Sequence, residues 1–401
     1  MPENSAAKTL FIIYLGVGLC VLASFAVLFL QLKPGSEKLP FYEDFSVFYE
    51  ASALMHSGKA ATVYRQSEQD LQAVMAGGTA HYFSNSFVNP PAFLPFIYPL
   101  ATLAKPLALA IWTVLGLAAW MGVFLLPAVR RQFAPLLSQR WFSRGFPLFV
   151  LCAPYSYYPV EFGQADLFTG ALLVAALCLR RDKPFASGAA LGLLLIKPHL
   201  ALALPVLLLA ERNFKALLAA SVTALLLCVA SSACFGLNLW ADWLHQLAPY
   251  KESLVKDTLG QSHALTSFYQ ALRAIGLTPQ AALGIHTAIA VALIVLAVAI
   301  TRRVQDFALR TALWLVLALM ISPYLLVYNL CALLLAAFIL ASRALEKPSF
   351  AALGFAIIFA ALPMLPAWIG LPAYVVAFAL LSGFGYLLYT GGHDRPSITP
   401  A

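Results

Sequence analysis

The chain is 401 residues long, 62% hydrophobic and only 10% charged, with a mean hydropathy of +0.83. That balance excludes a soluble globular domain, and apolar stretches long enough to cross a hydrocarbon core of about 30 Å recur from end to end, so the predicted class is an all-α polytopic membrane protein. The net charge of +8 would suit a nucleic-acid partner, but the basic residues are scattered over short loops as the positive-inside rule places them, and no nucleic acid is expected.

The first apolar run, Thr9 to Leu32, is too long for a signal-peptide core and ends in Gln31-Leu32-Lys33-Pro34, so it reads as a retained membrane helix. Residues 33–105 follow as a first external loop with five basic and six acidic residues. Near its start stands Asp44-Phe45-Ser46-Val47-Phe48-Tyr49, an acid among aromatics. Two readings fit Asp44: the N-cap of an interfacial helix, or a general base at the mouth of a cavity. The capping box is missing, because the third residue on is Val47. Glu50 projects away from Asp44 at helical spacing and reads as solvated. Farther on, Asn89-Pro90-Pro91, Pro95, Pro99 and Pro106 punctuate 88–104 too heavily for a span. That segment reads as interfacial and leads into a span over 107–126.

Arg130, Arg131, Arg140 and Arg144 share a loop without an acid. With the clusters at 180–183, 212–215, 302–310 and 343–347 they mark five cytoplasmic loops. Between them lie two pairs of short apolar segments, 146–160 with 165–179 and 185–196 with 198–210. Each is near or below the roughly 17 residues of a full crossing, so their turns are placed in a cavity reaching into the membrane. In the first turn Gln164 and Asp166 suit hydrogen bonding to a hydroxyl-rich ligand; Asp166 equally suits capping the next helix. In the second, Lys197-Pro198-His199 reads either as a snorkelling lysine or as an anion site, and two cation-capable groups beside a helix break favour a phosphate.

Further spans at 215–236, 281–301, 309–322, 325–342, 350–366 and 370–389 bring the expected count to about twelve in a single integral membrane domain over 1–401, with both termini cytoplasmic. A second external loop, 237–280, has three acidic and three basic residues and carries His263. Tyr324, Tyr328 and Asn329 stand at the top of a span, as ligand-binding groups or as an aromatic belt. The six cysteines show no CxxC spacing, and Walker, GxGxxG, HExxH and GxSxG patterns are absent. No metal and no cofactor are expected.

Six stretches in order carry a family resemblance: Asp44 to Tyr49; Asn89 to Pro95; Gly163-Gln164-Ala165-Asp166-Leu167-Phe168-Thr169; Lys197-Pro198-His199-Leu200; Thr266 to Arg273; and Ser322 to Leu330. Together they resemble the polyprenyl-phosphate-sugar-dependent glycosyltransferases of family 87, a group of predicted α-1,2-mannosyltransferases with the C-type glycosyltransferase fold. The resemblance implies a bundle of about twelve transmembrane helices with interfacial helices in the first external loop. It implies Asp44 as the base that deprotonates the acceptor hydroxyl, and Lys197 facing the donor phosphate. It further implies inverting transfer of a sugar, mannose by the family, from a polyprenyl-phosphate donor to a periplasmic or lipid-linked glycan. The setting implied is a bacterial inner membrane, with the site facing the periplasm or cell exterior. Three positions depart from the pattern: His199 for a Gln, Asp166 where Asn is common, and Asn329 for the Asp of a Tyr-Asp-Leu stretch. The last keeps a catalytically inactive scaffold in view. A transporter or flippase for a lipid-linked or polyanionic substrate is an alternative, though no internal repeat supports it. An envelope polysaccharide polymerase or ligase is another, though 237–280 holds a single arginine.

Overall fold

Apolar side chains on every face of a helix leave it two environments, a protein core or lipid, and the chain uses both. The computed structural model describes residues 5–30, 43–65, 87–257, 265–369, 372 and 374–393. Among these, Ser5–Val27, Lys105–Leu125, Phe214–Phe235, Pro279–Thr301 and Val327–Glu346 are apolar and long enough to cross a membrane, at 20 to 23 residues each. Shorter apolar helices include Asp166–Leu179, Pro184–Ile196, Pro198–Ala210, Phe307–Met320 and Phe350–Ala361. Full-length candidates thus number five among the described residues, beside shorter apolar helices that break at Gly163 and Pro198.

Helix starts follow local chemistry. Asn213, Thr278, Asp306 and Ser349 each accept a hydrogen bond from the backbone N–H three residues on, satisfying one of the orphan donors of a first turn. Pro106 and Pro279 occupy first-turn positions where a missing N–H costs nothing.

Phe307–Met320 and Leu333–Glu346 form the centre of the bundle, buried over nearly their whole circumference. Phe214–Phe235 and Pro279–Thr301 are peripheral and leave Leu218, Leu225 and Val295 exposed, as lipid-facing helices do. Pro184–Leu193 meets Phe214–Phe235 through Gly188 and Gly192, a small-xxx-small pair. A Cβ at Gly188 would lie 2.1 Å from the Ala216 carbonyl, so only glycine permits this approach.

The segment expected to be interfacial breaks at its prolines into Pro91–Phe93, Leu94–Ile97 and Tyr98–Thr102. Leu94 and Ile97 are fully buried. Helix Glu43–His56 packs over the segment: Ser52 Oγ donates to the Tyr98 carbonyl at 2.7 Å, and the His56 and Tyr98 rings stack at 4.2 Å. The second expected loop forms helix Asn238–Asp257, whose Trp243 and Gln246 donate to the Val88 and Phe87 carbonyls. The two loops therefore meet at one end of the bundle.

At the other end the basic clusters gather. Arg131 pairs with Asp182 and Arg343 with Asp306, while one cavity is shared by Arg180, Arg212, Arg302 and Arg310. Helix Asp166–Leu179, about 21 Å long at 1.5 Å per residue, joins the two ends.

Candidate active site

The site is built on a helix stop. Helix Pro154–Glu161 ends with Gly163 at φ 63°, where the Gly163 N–H donates to the Val160 carbonyl and the Gln164 N–H to the Pro159 carbonyl. This Schellman closure requires a left-handed residue, which glycine supplies without strain. The Gly163 carbonyl accepts from Trp112 Nε1 at 3.1 Å, and the Phe45 N–H donates to the Phe162 carbonyl at 3.3 Å. The turn is thereby tied to helix Lys105–Leu125 and to the Asp44 helix.

From this turn a continuous polar chain runs through five of the singled-out residues. Gln164 Nε2 donates to Asp44 Oδ2 at 2.8 Å, and Lys197 Nζ donates to Gln164 Oε1 at 2.9 Å. The same Nζ donates to Asp166 Oδ2 at 2.5 Å, and Asn329 Nδ2 donates to Asp166 Oδ1 at 2.8 Å. The Tyr328 ring covers the ammonium, its centroid 4.9 Å from Nζ. Lys197, Asp166, Gln164 and Asn329 are buried, while Asp44 is half-buried at the open end.

Asp166 does not cap the helix it begins. Its carboxylate is committed to Lys197 and Asn329, and the N-cap Ala165 supplies no side-chain bond. Lys197 is not a snorkelling lysine, nor an unpaired cation. Two of its three hydrogens go to Asp166 and Gln164, and for the third the Tyr328 ring is the neighbour, with no further hydrogen-bond acceptor among the described residues. A buried ammonium needs such a partner, because its desolvation cost would otherwise be several kcal/mol.

Asp166 and Asn329, two of the three departures from the resemblance, are hydrogen-bonded to each other. Relative to the implied pattern the carboxylate and the amide have exchanged places, and one of each remains beside Lys197.

His199 lies in the turn after Lys197, with its Nε2 buried and without a hydrogen-bond partner among the described residues. Tyr324 stands outside the chain of bonds, its ring against Tyr269 at 5.9 Å. The Thr266 N–H donates to the Leu325 carbonyl at 2.8 Å, joining the second loop to the Tyr328-Asn329 segment. His263 lies outside the described residues. Glu50 is exposed.

Sequence reasoning left three contributors unassigned. Trp112 holds the Gly163 carbonyl, and the one available signal is an indole N–H in an apolar helix, which needs a partner when buried. The Cys331 thiol donates to the Asp166 carbonyl at 2.9 Å. Glu161 sits half-buried in the turn beside Tyr157, and burial pushes its carboxyl up to about 7 against the partial relief of the Tyr157 hydroxyl.

Beside the polar chain lies an apolar groove of about 620 Å³ between helices Lys105–Leu125 and Asp166–Leu179. Twenty residues line it, none of them charged, and Phe96, Ile111 and Leu115 are exposed on its walls. Its lining includes Ala165 and Ile196, the chain neighbours of Gln164, Asp166 and Lys197. Among the described residues no group of three or more His, Cys, Asp or Glu is arranged to hold a metal ion.

Comparison with known proteins bears on this arrangement. The model of glycosyltransferase family 87 matches residues 87–323, more than half of the chain. The matched span contains Gln164, Asp166, Lys197 and His199; it begins after Asp44 and ends before Tyr328 and Asn329. Searches of curated proteins and of solved structures gave no match. By that family match, and with a membrane-helical fold around it, the chain belongs to glycosyltransferase family 87 and is a glycosyltransferase.

Proposed function

We propose that this glycosyltransferase takes its sugar from a polyprenyl-phosphate donor and passes it, with inversion, to a hydroxyl of a periplasmic or lipid-linked glycan. Mannose is the sugar that the family resemblance favours. The membrane is then a bacterial inner membrane, and the end carrying Asp44 faces the periplasm or exterior. The five Lys/Arg clusters gathered at the opposite end support that orientation. The about twelve crossings belong to the same reading, with the short helices pairing end to end around their turns.

The observation that carries the proposal is the apolar groove running up to the polar chain. A lipid-linked donor needs both in contact: a wall-to-wall apolar channel for isoprene units, and hydrogen-bond donors where the phosphate emerges. A nucleotide donor needs neither the channel nor a site at this end.

In the reaction, Asp44 takes the proton as the acceptor oxygen attacks the anomeric carbon. The bond from that carbon to the phosphate oxygen breaks, and polyprenyl phosphate leaves with the electron pair. Negative charge grows on the leaving oxygen, and in this reading Lys197, with His199, meets it; the hydrogen-bond capacity left at Lys197 Nζ and His199 Nε2 supports that role. Asp166 and Gln164 hold the ammonium in position, and Asn329 holds Asp166. Tyr324, Tyr328 and His263 are assigned to substrate contact. The chemistry asks for no metal or cofactor.

The test supplies labelled polyprenyl-phosphate mannose and, separately, GDP-mannose to purified protein in nanodiscs. The expected result is transfer from the lipid donor only, with Ala119→Phe, which fills the groove, raising the KM for that donor. Transfer from the nucleotide sugar, or a KM untouched by groove filling, overturns the proposal.

A further inference from the structure

The geometry points to a second ligand site at the opposite end of the molecule: a phosphate-binding cavity among the basic loops, fitted to the headgroup of an anionic lipid. The cavity measures about 480 Å³ and is lined by Arg180, Arg181, Arg212, Arg302 and Arg310, with Glu211 as the one carboxylate. Five arginines thus line it against one carboxylate, of which Arg180 and Arg310 contact Glu211. A positive-inside signal alone would be met by arginines in solvent, but Arg180 is only 2% exposed.

Its partners are accounted for atom by atom. Arg180 Nε donates to both Glu211 oxygens, at 3.0 and 3.3 Å, and Nη1 donates to Thr311 Oγ1 at 3.0 Å and to the Leu177 carbonyl. The Phe307 ring lies 4.1 Å below the guanidinium. Nη2 is buried and has no hydrogen-bond partner among the described residues. Arg310 Nε stands 3.2 Å from Glu211 Oε1 without hydrogen-bond alignment, so a single carboxylate is shared between two arginines and satisfies neither fully. Arg181, Arg212 and Arg302 have no ion pair among the described residues. Those three are exposed, so the buried open donors are Arg180 Nη2 and Arg310 Nε; such donors are rare in folded proteins and mark where an acceptor is missing.

Arg212 adds an independent observation. It is the only non-glycine residue with positive φ among those described, at 55°. Its N–H donates to the Leu209 carbonyl, and that of Asn213 to the Leu208 carbonyl, so it fills the left-handed position of a Schellman closure where glycine is favoured. The chain accepts that strain and places a guanidinium on the cavity instead.

A phosphate matches this donor set. Planar forks bind its oxygens bidentately, and basic pockets between helices on the cytoplasmic side recognise anionic headgroups. The lipid and a free phosphate share this chemistry, and two arms of one experiment separate them.

Full-length protein is placed in nanodiscs of phosphatidylcholine with or without cardiolipin, and lipid retention is read by native mass spectrometry. Inorganic phosphate is titrated against the phosphatidylcholine sample by thermal shift. Wild type is expected to retain cardiolipin, and Arg212→Gly, which relieves the strained backbone, and Arg302→Gln are each expected to weaken retention about tenfold, the worth of one lost charge-assisted hydrogen bond. Saturation by inorganic phosphate in the absence of cardiolipin, lost in the same variants, supports the phosphate site and assigns it a soluble ligand. Binding equal to wild type in both variants, or no binding of either probe, overturns it. Arg212→Gly unfolding at or above the wild-type temperature shows that its loss of binding is not a loss of fold.

Discussion

If Asp166 and Asn329 are an exchanged carboxylate–amide pair around Lys197, then exchanging them back should preserve the site. Asp166→Asn alone removes the counter-charge from an ammonium whose side chain is 7% exposed. Unit charges about 4 Å apart interact by about 4 kcal/mol at an effective dielectric of about 20, and breaking a buried pair costs about 3–5 kcal/mol. Asn329→Asp alone replaces the 2.8 Å amide-to-carboxylate bond with two carboxylates in contact, one of which must take up a proton. The double variant has one carboxylate, one amide and a reversed hydrogen bond between them, and the side chain at 329 can still accept from the Leu326 N–H, as Asn329 Oδ1 does at 2.9 Å. We expect its unfolding free energy in mixed micelles to return to within about 1 kcal/mol of wild type, giving a coupling energy of at least about 2 kcal/mol in a double-mutant cycle. Lipid-donor transfer should follow the same order. A double variant as unstable as the sum of its singles would refute the reasoning, because the three side chains would then not act as one unit.

Asp44→Asn keeps the shape of the side chain and its acceptor for Gln164, so stability should change by less than about 1 kcal/mol while transfer falls about 10²- to 10⁴-fold; a variant retaining a tenth of the rate removes Asp44 from the role of base. Gly163→Ala forces a Cβ onto a left-handed backbone and should cost about 1–2 kcal/mol, read as a lowered unfolding midpoint; an unchanged midpoint means the turn relaxes. Glu161 titrates near 7 when folded against an ordinary 4.5, so the folded state holds the extra proton between these values and stability should fall as pH rises through about 4.5 to 7. Glu161→Gln should flatten that slope, and a slope that survives assigns it to another group.

Helix positions were largely legible from hydropathy and breakers. The expected spans 107–126 and 281–301 correspond to Lys105–Leu125 and Pro279–Thr301, since Pro106 and Pro279 fix the starts and the apolar runs fix the lengths. Prolines correctly signalled the breaks in 91–102, but not its burial beneath helix Glu43–His56, which depends on a partner 46 residues away. The polar outliers Asp44, Gln164, Lys197 and Asn329 stood out because ionisable or amide side chains in apolar surroundings are costly. Their connectivity did not. A first-turn acid reads as a cap in one dimension, and only the folded chain brings Lys197 to Asp166 across 31 residues and Asn329 across 163. The Trp112 bond was hidden for the same reason, 51 residues from its acceptor.

That tryptophan stands between two compartments. One face of the indole walls the apolar groove while its N–H secures the buried Gly163 carbonyl. Any occupant that pushed the ring aside would strip that carbonyl of its bond, at about 1–3 kcal/mol, and loosen the stop that aims Gln164 at Asp44. On the proposed lipid-donor reading, a tail of the right girth would leave the ring seated and the glutamine aimed, and one too bulky would disturb the same hinge that sets up the chemistry, so one side chain would gauge both the width of the channel and the alignment of the polar residues.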